Sequence, residues 1–406
     1  MSSAAGKLTT ELTEEQRAVM HEMYKHLHAH PELSMQEHQT ASYIAEQLDA
    51  LGIENFICAG TGVVGIQRNG EGPVVGFRAD TDGLPIHEDT DADYASTARG
   101  TLADGSDVPV MHGCGHDTHI TAALTAAARL AEQTDAWQGT VVWIFQPGEE
   151  TAAGAKAMLE DGLWEKAPRP DIILGQHVFP FAAGSIALTG GPSMTMADSL
   201  KVTLKGRQAH GSQPQESIDP IVLGSYIITR LQTLVSSELN PQQSAVITCG
   251  TFHAGLKENI IPDKAEFTLN VRTFSEKVRT QVLGGINRII NAEAMASNAP
   301  QPQIEMFNSF PKLHNDLEHT EIVRKVLKSE LGDDKVVQMP PAMGSEDFGA
   351  LGDSIDVPYA YWFFGGFVPR ESTPPSNHSP HFLPDYEPAL DTGVRAVLAT
   401  LGHYLR

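Results

Sequence analysis

The sequence predicts an α/β protein in which helices cover both faces of a mostly parallel sheet, together with an inserted α+β domain. Strand-like and helix-like segments alternate in the first half of the chain and again near its end, an order typical of parallel sheets. From about Ala187 the order instead becomes β-α-β-β-α. A chain of 406 residues also exceeds the usual size of one hydrophobic core, so we expect two domains.

The first half of the chain carries helical and strand patterns in turn. Apolar residues at helical spacing predict helices, and Asp117 is well placed to cap the third of them. Short apolar runs predict buried strands. The predicted helices are 13–30, 37–51, 118–133 and 154–161, and the predicted strands are 63–66, 74–77, 140–145 and 171–175.

The segments after Ala187 predict a ferredoxin-like domain inserted into the α/β domain. Its predicted strands are 199–204, 245–249, 265–272 and 303–307, and its predicted helices are 219–234 and 278–296. The α/β pattern then resumes with a helix at 320–331, a strand at 359–364 and a helix at 391–405. We therefore predict a main domain in two parts, 1–188 and 309–406, and an inserted domain at 189–308.

Composition and charge exclude several classes of protein. A formal charge of −23 opposes binding to the phosphates of nucleic acid, and it requires a local positive site for any anionic substrate. The longest apolar runs are too short for a membrane span, and the N-terminus lacks the features of a signal peptide. Three scattered cysteines form no disulfide framework. We therefore expect a cytoplasmic protein without nucleic-acid or membrane partners.

Two motifs concentrate reactive side chains in the first half of the chain. Residues 111–119 read MHGCGHDTH, and a buried-looking strand ends in QPGEE at residues 146–150. Cysteine, histidine and glutamate together suit zinc or a similar transition metal. The adjacent Glu149 and Glu150 can divide the work, one binding metal and the other handling protons. The alternative is that both glutamates are ordinary solvent-exposed acids, which their position just after a buried strand disfavours.

Four candidate side chains follow predicted strands: Asp80, Glu149, Glu150 and His177. In sheets of this type ligands gather at the carboxyl ends of the strands, so we expect the four at one edge of the sheet. His177 taken alone is equally well explained as a core histidine, and a lone Cys114 as a small buried hydrophobe.

Six motifs in order resemble the zinc-peptidase-like amidohydrolases, a family of aminoacylases, hippurate hydrolases and auxin-conjugate hydrolases with a carboxypeptidase branch. They are MHGCGHDTH, QPGEE, GQHVF, GRQAHGSQP, ENIIPD and GSEDFG. The resemblance extends from HAHPELS at 28–34 to NHSPHF at 377–382. It implies that the main domain is catalytic and that the inserted domain forms a lid and a homodimer interface.

The resemblance also implies a metal site and a general base. The implied ligands of two divalent ions (zinc, or manganese, nickel or cobalt) are Cys114, His116, Glu150, His177 and His378. Glu149 matches the general base. His381 competes with His378 for the last ligand position, and we favour His378 by its place in the motif.

Arg78-Ala79-Asp80 departs from the carboxypeptidase branch, which has a histidine ligand two residues before the aspartate. Arg78 cannot bind a metal, and this departure favours the amidohydrolase subgroup. We expect Asp80 to be the carboxylate that orients a histidine ligand.

The resemblance assigns three residues of the inserted domain to the substrate. His210 matches a histidine that reaches the partner's active site and stabilises the oxyanion, and Asn259 and Arg272 match residues that bind the free carboxylate. Arginine suits that task because its planar fork forms two hydrogen bonds with a carboxylate. The alternatives are an ordinary loop position for His210 and a surface ion pair for Arg272.

We therefore expect a metal-dependent amidohydrolase that cleaves N-acyl-L-amino acids into a carboxylate and a free amino acid. A metallo-dipeptidase or carboxypeptidase is the second hypothesis, and a catalytically silent metal- or ligand-binding protein is the third.

Overall fold

The computed structural model describes residues 8–406, and within them the chain forms ten α-helices. None of these helices is both long and apolar enough to cross a membrane. The helices are α1 (Glu14–Ala29), α2 (His38–Ala50), α3 (His116–Glu132), α4 (Gly154–Glu160), α5 (Leu163–Lys166), α6 (Pro220–Thr233), α7 (Glu276–Ala296), α8 (Leu317–Leu331), α9 (Gly349–Asp353) and α10 (Tyr386–Tyr404).

The strands of the first half, up to the start of the predicted inserted domain, are β1 (Glu54–Cys58), β2 (Gly62–Asn69), β3 (Val74–Asp80), β4 (Arg99–Thr101), β5 (Asp107–Pro109), β6 (Gly139–Gln146), β7 (Ile172–Ala182) and β8 (Ile186–Leu188). The later strands are β9 (Gly191–Met194), β10 (Met196–Lys205), β11 (Ala209–His210), β12 (Ala245–Ala254), β13 (Ile260–Ile261), β14 (Lys264–Thr273), β15 (Gln303–Phe310), β16 (Leu313–Asn315), β17 (Val336–Gln338) and β18 (Tyr359–Phe367).

Contacts divide the described chain into two compact units. The first unit contains residues 8–193, 314–340 and 347–406, and the second contains 194–313 and 341–346. The segment 341–346 lies far along the chain from the rest of the second unit, and no sequence pattern assigned it there. Each unit has its own apolar core.

The first unit is built on an eight-stranded mixed sheet in the order β1-β2-β6-β3-β7-β18-β8-β17. Its centre, β6-β3-β7-β18, is parallel, and its outer pairs include antiparallel ones. The central strands are apolar along almost their whole length because helices cover them on both faces; β18 is buried at all nine positions. The predicted α/β class is confirmed.

The second unit has a four-stranded antiparallel sheet in the order β12-β14-β10-β15, and α6 and α7 pack against its apolar side. Along β14 buried and partly exposed residues alternate, which is the pattern of a sheet with one covered face. The chain order of strands and helices is β-α-β-β-α-β, as the prediction of a separate ferredoxin-like domain requires.

Helix ends show where local sequence reasoning succeeded and where it failed. Thr13 begins α1 with a capping box, its hydroxyl accepting from the Gln16 N–H. The prediction that Asp117 caps α3 is wrong. The N-cap is Gly115, in a left-handed conformation at φ +84°. Asp117 lies inside the first turn, where its carboxylate accepts from the ring of His28 at 2.6 Å.

Candidate metal centre

The ends of three neighbouring parallel strands bring the first-half candidates to one edge of the sheet. β3 lies between β6 and β7, with Asp80 opposite Gln146 and Arg78 opposite Gly175. Glu149 and Glu150 follow β6 directly, and His177 lies two residues beyond Gly175. The carboxyl ends of these strands therefore meet, as the pattern predicts.

The glycine-rich loop before α3 carries Cys114 and His116 to the same edge. Gly115 must be glycine for two reasons: its φ is +84°, and a Cβ there would lie 2.4 Å from a side-chain carbon of Val178. This close approach of loop to strand lets Cys114 Sγ lie 3.4 Å from His177 Nε2.

Cys114, His116 and Glu150 form a compact group whose ligand atoms all lie within 4.8 Å of one another. His116 Nε2 and Glu150 Oε1 are buried, and neither has a hydrogen-bond partner in the described chain. The other ring nitrogen of His116 is held by Asp82, 2.9 Å from its carbonyl oxygen and 3.2 Å from its carboxylate. Since Nδ1 faces these acceptors, Nε2 is the ring nitrogen directed toward the group.

His177 and His378 border this group from two sides. His177 Nδ1 donates to the Val178 carbonyl at 2.7 Å, so Nε2 is the unprotonated nitrogen beside Cys114. His378 Nε2 lies 3.2 Å from Glu150 Oε1. His378 has φ +68°, uncommon for a residue other than glycine, and its N–H donates to Gly113. His381 instead points at Asp89, so position favours His378 over its rival.

Electrostatics in the group suit a bound cation. Burial, with Glu150 and Glu149 nearby, raises the pKa of the Cys114 thiol well above its usual value. Burial opposes protonation of His116, yet the carboxylates of Asp80 and Asp82 raise its pKa to about 10. Neighbouring carboxylates thus contribute to both shifts. A divalent ion reverses the shift of the thiol, because a coordinating thiol is deprotonated. The residues present therefore fit a transition-metal site.

The two adjacent glutamates have different surroundings. Glu150 belongs to the group with Cys114 and His116, whereas a carboxylate oxygen of the buried Glu149 lies within 4.8 Å of one of Asp347. The loop that carries them is pinned by two buried acids. Glu37 accepts from the Gly148 N–H at 2.8 Å, and Asp82 accepts from the Glu150 N–H at 3.0 Å.

Asp80 was expected to orient a histidine ligand, and its hydrogen bonds are with two side chains outside the predicted ligand set. Its carboxylate accepts from Arg78 at 2.6 Å and from His119 Nδ1, neither of which is in the predicted ligand set. The carboxylate that holds a predicted ligand is Asp82, which holds His116. Asp80 stays close to His116, with 3.6 Å between Oδ2 and Nε2, while the buried Arg78 guanidinium requires an anion beside it.

His210 and Asn259 lie together in the second unit. The short strands β11 and β13 pair, and the Gly211 N–H donates to the Asn259 carbonyl at 2.8 Å. Both side chains are exposed. His210 Nδ1 contacts the Ser212 hydroxyl at 2.7 Å, which leaves Nε2 directed elsewhere.

Arg272 lies in β14 of the same unit and is half-buried. Its guanidinium donates to the Asn270 side chain at 3.0 Å and to the Met343 carbonyl at 2.6 Å. Among the described residues no carboxylate forms an ion pair with it, so the surface ion-pair alternative fails. Segment 341–346 thus holds the Arg272 guanidinium through an uncharged carbonyl group, and the positive charge has no anionic partner among the described residues of the unit.

Sequence reasoning missed three residues that hold this region together: Asp82, Glu37 and Asn377. Asp82 had a usable signal, since it follows the same strand as Asp80 two residues later. Asn377 donates to the Cys114 carbonyl at 3.2 Å and precedes His378 in the NHSPHF motif. Glu37 carried no signal, because its partner Gly148 is 111 residues away.

An α/β sheet with a thiol, imidazoles and carboxylates at its carboxyl edge suits a metal-dependent enzyme, and the family match identifies that enzyme as a hydrolase. The chain belongs to the peptidase family M20/M25/M40, whose model matches residues 76–403. This membership, together with the ligand cluster, confirms the predictions of an amide-bond hydrolase and of divalent metal cofactors.

The similar proteins include both acyl-amino-acid hydrolases and a carboxypeptidase, the two activities considered from the sequence. The chain is 37% identical to the N-acetyl-L-cysteine deacetylase of Bacillus subtilis over 84% of its length and 79% of the relative. It is 37% identical to the hippurate hydrolase of Campylobacter jejuni, over 82% and 85%. It is 34% identical to thermostable carboxypeptidase 1 of Saccharolobus solfataricus, over 91% of both chains.

A solved structure agrees with these sequence relatives. The YXEP protein of Bacillus subtilis, described as a dinuclear metal-binding peptidase of the M20 family, superposes with a TM-score of 0.79. The match has 30% identity and covers 97% of this chain and 99% of that one.

Proposed function

We propose that the protein hydrolyses the amide bond of N-acyl-L-amino acids, with Glu149 as general base. The observation that carries the proposal is a pair of buried ligand atoms beside Cys114, His116 Nε2 and Glu150 Oε1, which form no hydrogen bond within residues 8–406, the latter lying close to His378. Together with His177 and His378 these residues would hold two divalent ions, zinc or else manganese, nickel or cobalt.

Bound ions of this kind lower the pKa of a water from about 15.7 towards about 7 and polarise a carbonyl oxygen. Glu149 takes a proton from the attacking water on its carboxylate. The same carboxyl group then delivers the proton to the nitrogen of the departing amine, so the proton count balances. Burial of Glu149 keeps bulk water from competing for this transfer.

Recognition of the substrate falls to the second unit. Arg272 offers a guanidinium that no carboxylate within residues 8–406 neutralises, which suits the free carboxylate of an acyl amino acid. Asn259 would add a hydrogen bond to the same group. His210, exposed and with Nε2 directed away from Ser212, would donate to the oxyanion. We propose that it does so across a homodimer formed by the second unit.

The test is a panel of matched substrates with metal-reconstituted protein, followed by release of free amine. Each N-acetyl- and N-benzoyl-amino acid is paired with its C-terminal amide, which lacks the carboxylate. We expect turnover of the acids, loss of turnover with a chelator, and poor turnover of the amides. Equal rates for acids and amides would contradict carboxylate recognition. No turnover of any acid by protein that has bound metal would contradict the proposed activity.

A dipeptidase or carboxypeptidase is the second candidate, and the similarity to a thermostable carboxypeptidase favours keeping it. Dipeptides with the same C-terminal residue, assayed beside the acyl amino acids, separate the two. We expect the acyl amino acids to have the higher kcat/KM, because a peptidase site must also accommodate a charged α-amino group.

A further inference from the structure

We propose that Arg78, Asp80 and His119 form a positioning chain that fixes the orientation of His177 for the metal. This inference rests on His177 being a metal ligand, as the proposed function holds. None of the three residues would bind the metal itself. All three are at most 1% exposed, and all belong to the first unit.

The chain starts at the Arg78 guanidinium. It donates to the Gln146 side chain at 2.9 Å, to Asp80 Oδ2 at 2.6 Å and to Asp347 at 3.3 Å. Arginine has donors only, so the group facing it must be an acceptor. This contact fixes which oxygen of Asp80 remains for the next residue.

Asp80 and His119 then determine the tautomer of the imidazole. His119 Nε2 accepts from the Val178 N–H at 2.8 Å, so Nε2 carries no proton. The proton of the neutral ring is therefore on Nδ1, where it donates to Asp80 Oδ1. Both ring nitrogens of His119 are thus engaged in hydrogen bonds. Neither remains to bind a metal, even though His119 lies within 4.8 Å of other candidate ligands.

At Val178 the His119 ring accepts the backbone hydrogen bond that a neighbouring strand would otherwise accept. Pairing of β7 with β3 ends at Gly175, so β3 offers no acceptor to Val178. The imidazole supplies one and holds the peptide that joins His177 to Val178. The next carbonyl, that of Val178, accepts from His177 Nδ1 at 2.7 Å. The backbone on both sides of Val178 is thereby fixed, and His177 Nε2 is directed toward Cys114.

A pair of substitutions separates positioning from ligation. In H119Q the amide oxygen can replace Nε2 as acceptor for Val178, whereas in H119N the shorter amide can replace only the Nδ1 donor. Metal binding is measured by titrating metal-free protein with zinc or manganese against a chelating dye. We expect H119N to weaken one of two binding steps by about 10- to 100-fold, with H119Q closer to wild type.

The other outcomes overturn the inference. Equal, large losses in H119Q and H119N would make His119 a ligand, and affinities unchanged in both would mean that no positioning exists. H112N serves as a matched control: His112 is buried in the same motif, and neither of its ring nitrogens has a hydrogen-bond partner in the described chain. We expect it to bind both ions with wild-type affinity, and a loss equal to that of H119N would show a nonspecific effect.

Arg78 is tested through Asp80. In D80N the amide oxygen must face Arg78, so the NH₂ group lies against the Nδ1–H of His119. We expect the metal affinity of the step that H119N weakens to decrease in D80N as well. Adding R78M frees the amide to turn its oxygen toward His119, and the double variant should recover part of the affinity. Additive losses would overturn the role of Arg78. Because binding is measured without turnover, these results stand apart from any failure to find a hydrolysed substrate.

Discussion

The two units hold their candidate residues in different ways. In the first unit Cys114, His116 and His177 are buried and each of these two imidazoles is oriented by a hydrogen bond, whereas His378 at the border of the group is exposed. In the second unit the side chains of His210 and Asn259 are exposed, and His210 contacts the hydroxyl of Ser212, two residues away. Side chains buried among fixed partners are preorganised, whereas exposed ones keep rotamer freedom until a ligand or a partner orders them.

This difference indicates two kinds of site residue in one chain. Substitutions in the first unit should change metal binding or the chemical step. Substitutions in the second unit should leave the metal in place and change only the kinetics. Three predictions test this contrast, beginning with the largest expected effect, and a fourth concerns a buried charge of the first unit.

Glu149→Gln keeps the size of the side chain and removes its ability to take a proton. We expect kcat to fall by about 100- to 10,000-fold with both metal ions retained. Steady-state kinetics and metal analysis of the same preparation measure both quantities. Glu150→Gln is the matched control, and it should lose metal affinity instead. Near-wild-type turnover of metal-loaded Glu149→Gln protein would remove Glu149 from the mechanism.

His210→Asn probes the second unit. Loss of a donor to an oxyanion typically lowers kcat by about 100- to 1,000-fold. Since His210 is exposed, we expect the melting temperature and the metal content to stay unchanged. Sedimentation of the wild type should show a dimer if the residue acts across an interface. A purely monomeric active enzyme would contradict action in the partner's site.

Arg272→Met removes the uncompensated charge. Hydrogen bonds to charged groups contribute about 1.5–3 kcal/mol, so KM for acyl amino acids should rise by roughly 10- to 150-fold. The matched C-terminal amides are the control, because their KM should hardly change. A parallel increase for acids and amides would assign Arg272 a structural role through Met343.

The smallest effect concerns pH and the buried His28. Burial lowers its pKa, but the hydrogen bonds that its ring donates to Asp117 and Glu88 prevail and raise the pKa to about 9. A pKa raised on folding stabilises the protein fully below the unfolded value near 6.5, and this stabilisation is lost as pH rises through about 9.

We expect the melting temperature to fall between pH 7 and pH 10, with the His28 contribution worth about 1.4 kcal/mol for each pKa unit of the shift. His28→Gln should reduce this slope, whereas a substitution of the exposed His38 should not. If the dependence of the melting temperature on pH were unchanged in His28→Gln, His28 would not be charged in the folded protein at neutral pH.

Much of the fold and part of the site could be predicted because their signals are local. The apolar run of β6 predicts a buried strand, and the alternation of apolar and polar residues in β14 predicts a strand with one buried face. The order of strands then places Asp80, Glu149 and His177 at one edge of the sheet. The cap of α3 was predicted wrongly because Asp117 is locally suited to a cap, but its carboxylate is engaged by His28, 89 residues earlier.

The sequence by itself determined the α/β class and the separate smaller domain, and it supplied the set of candidate metal ligands. Only the tertiary structure decided which carboxylate holds which imidazole. Asp82 rather than Asp80 orients His116, and His378 rather than His381 approaches Glu150. The physical reason is distance along the chain: Cys114 and Asn377 are 263 residues apart, and no local pattern reports that they touch. Such contacts follow from the packing of strands and loops, which periodicity and spacing do not specify.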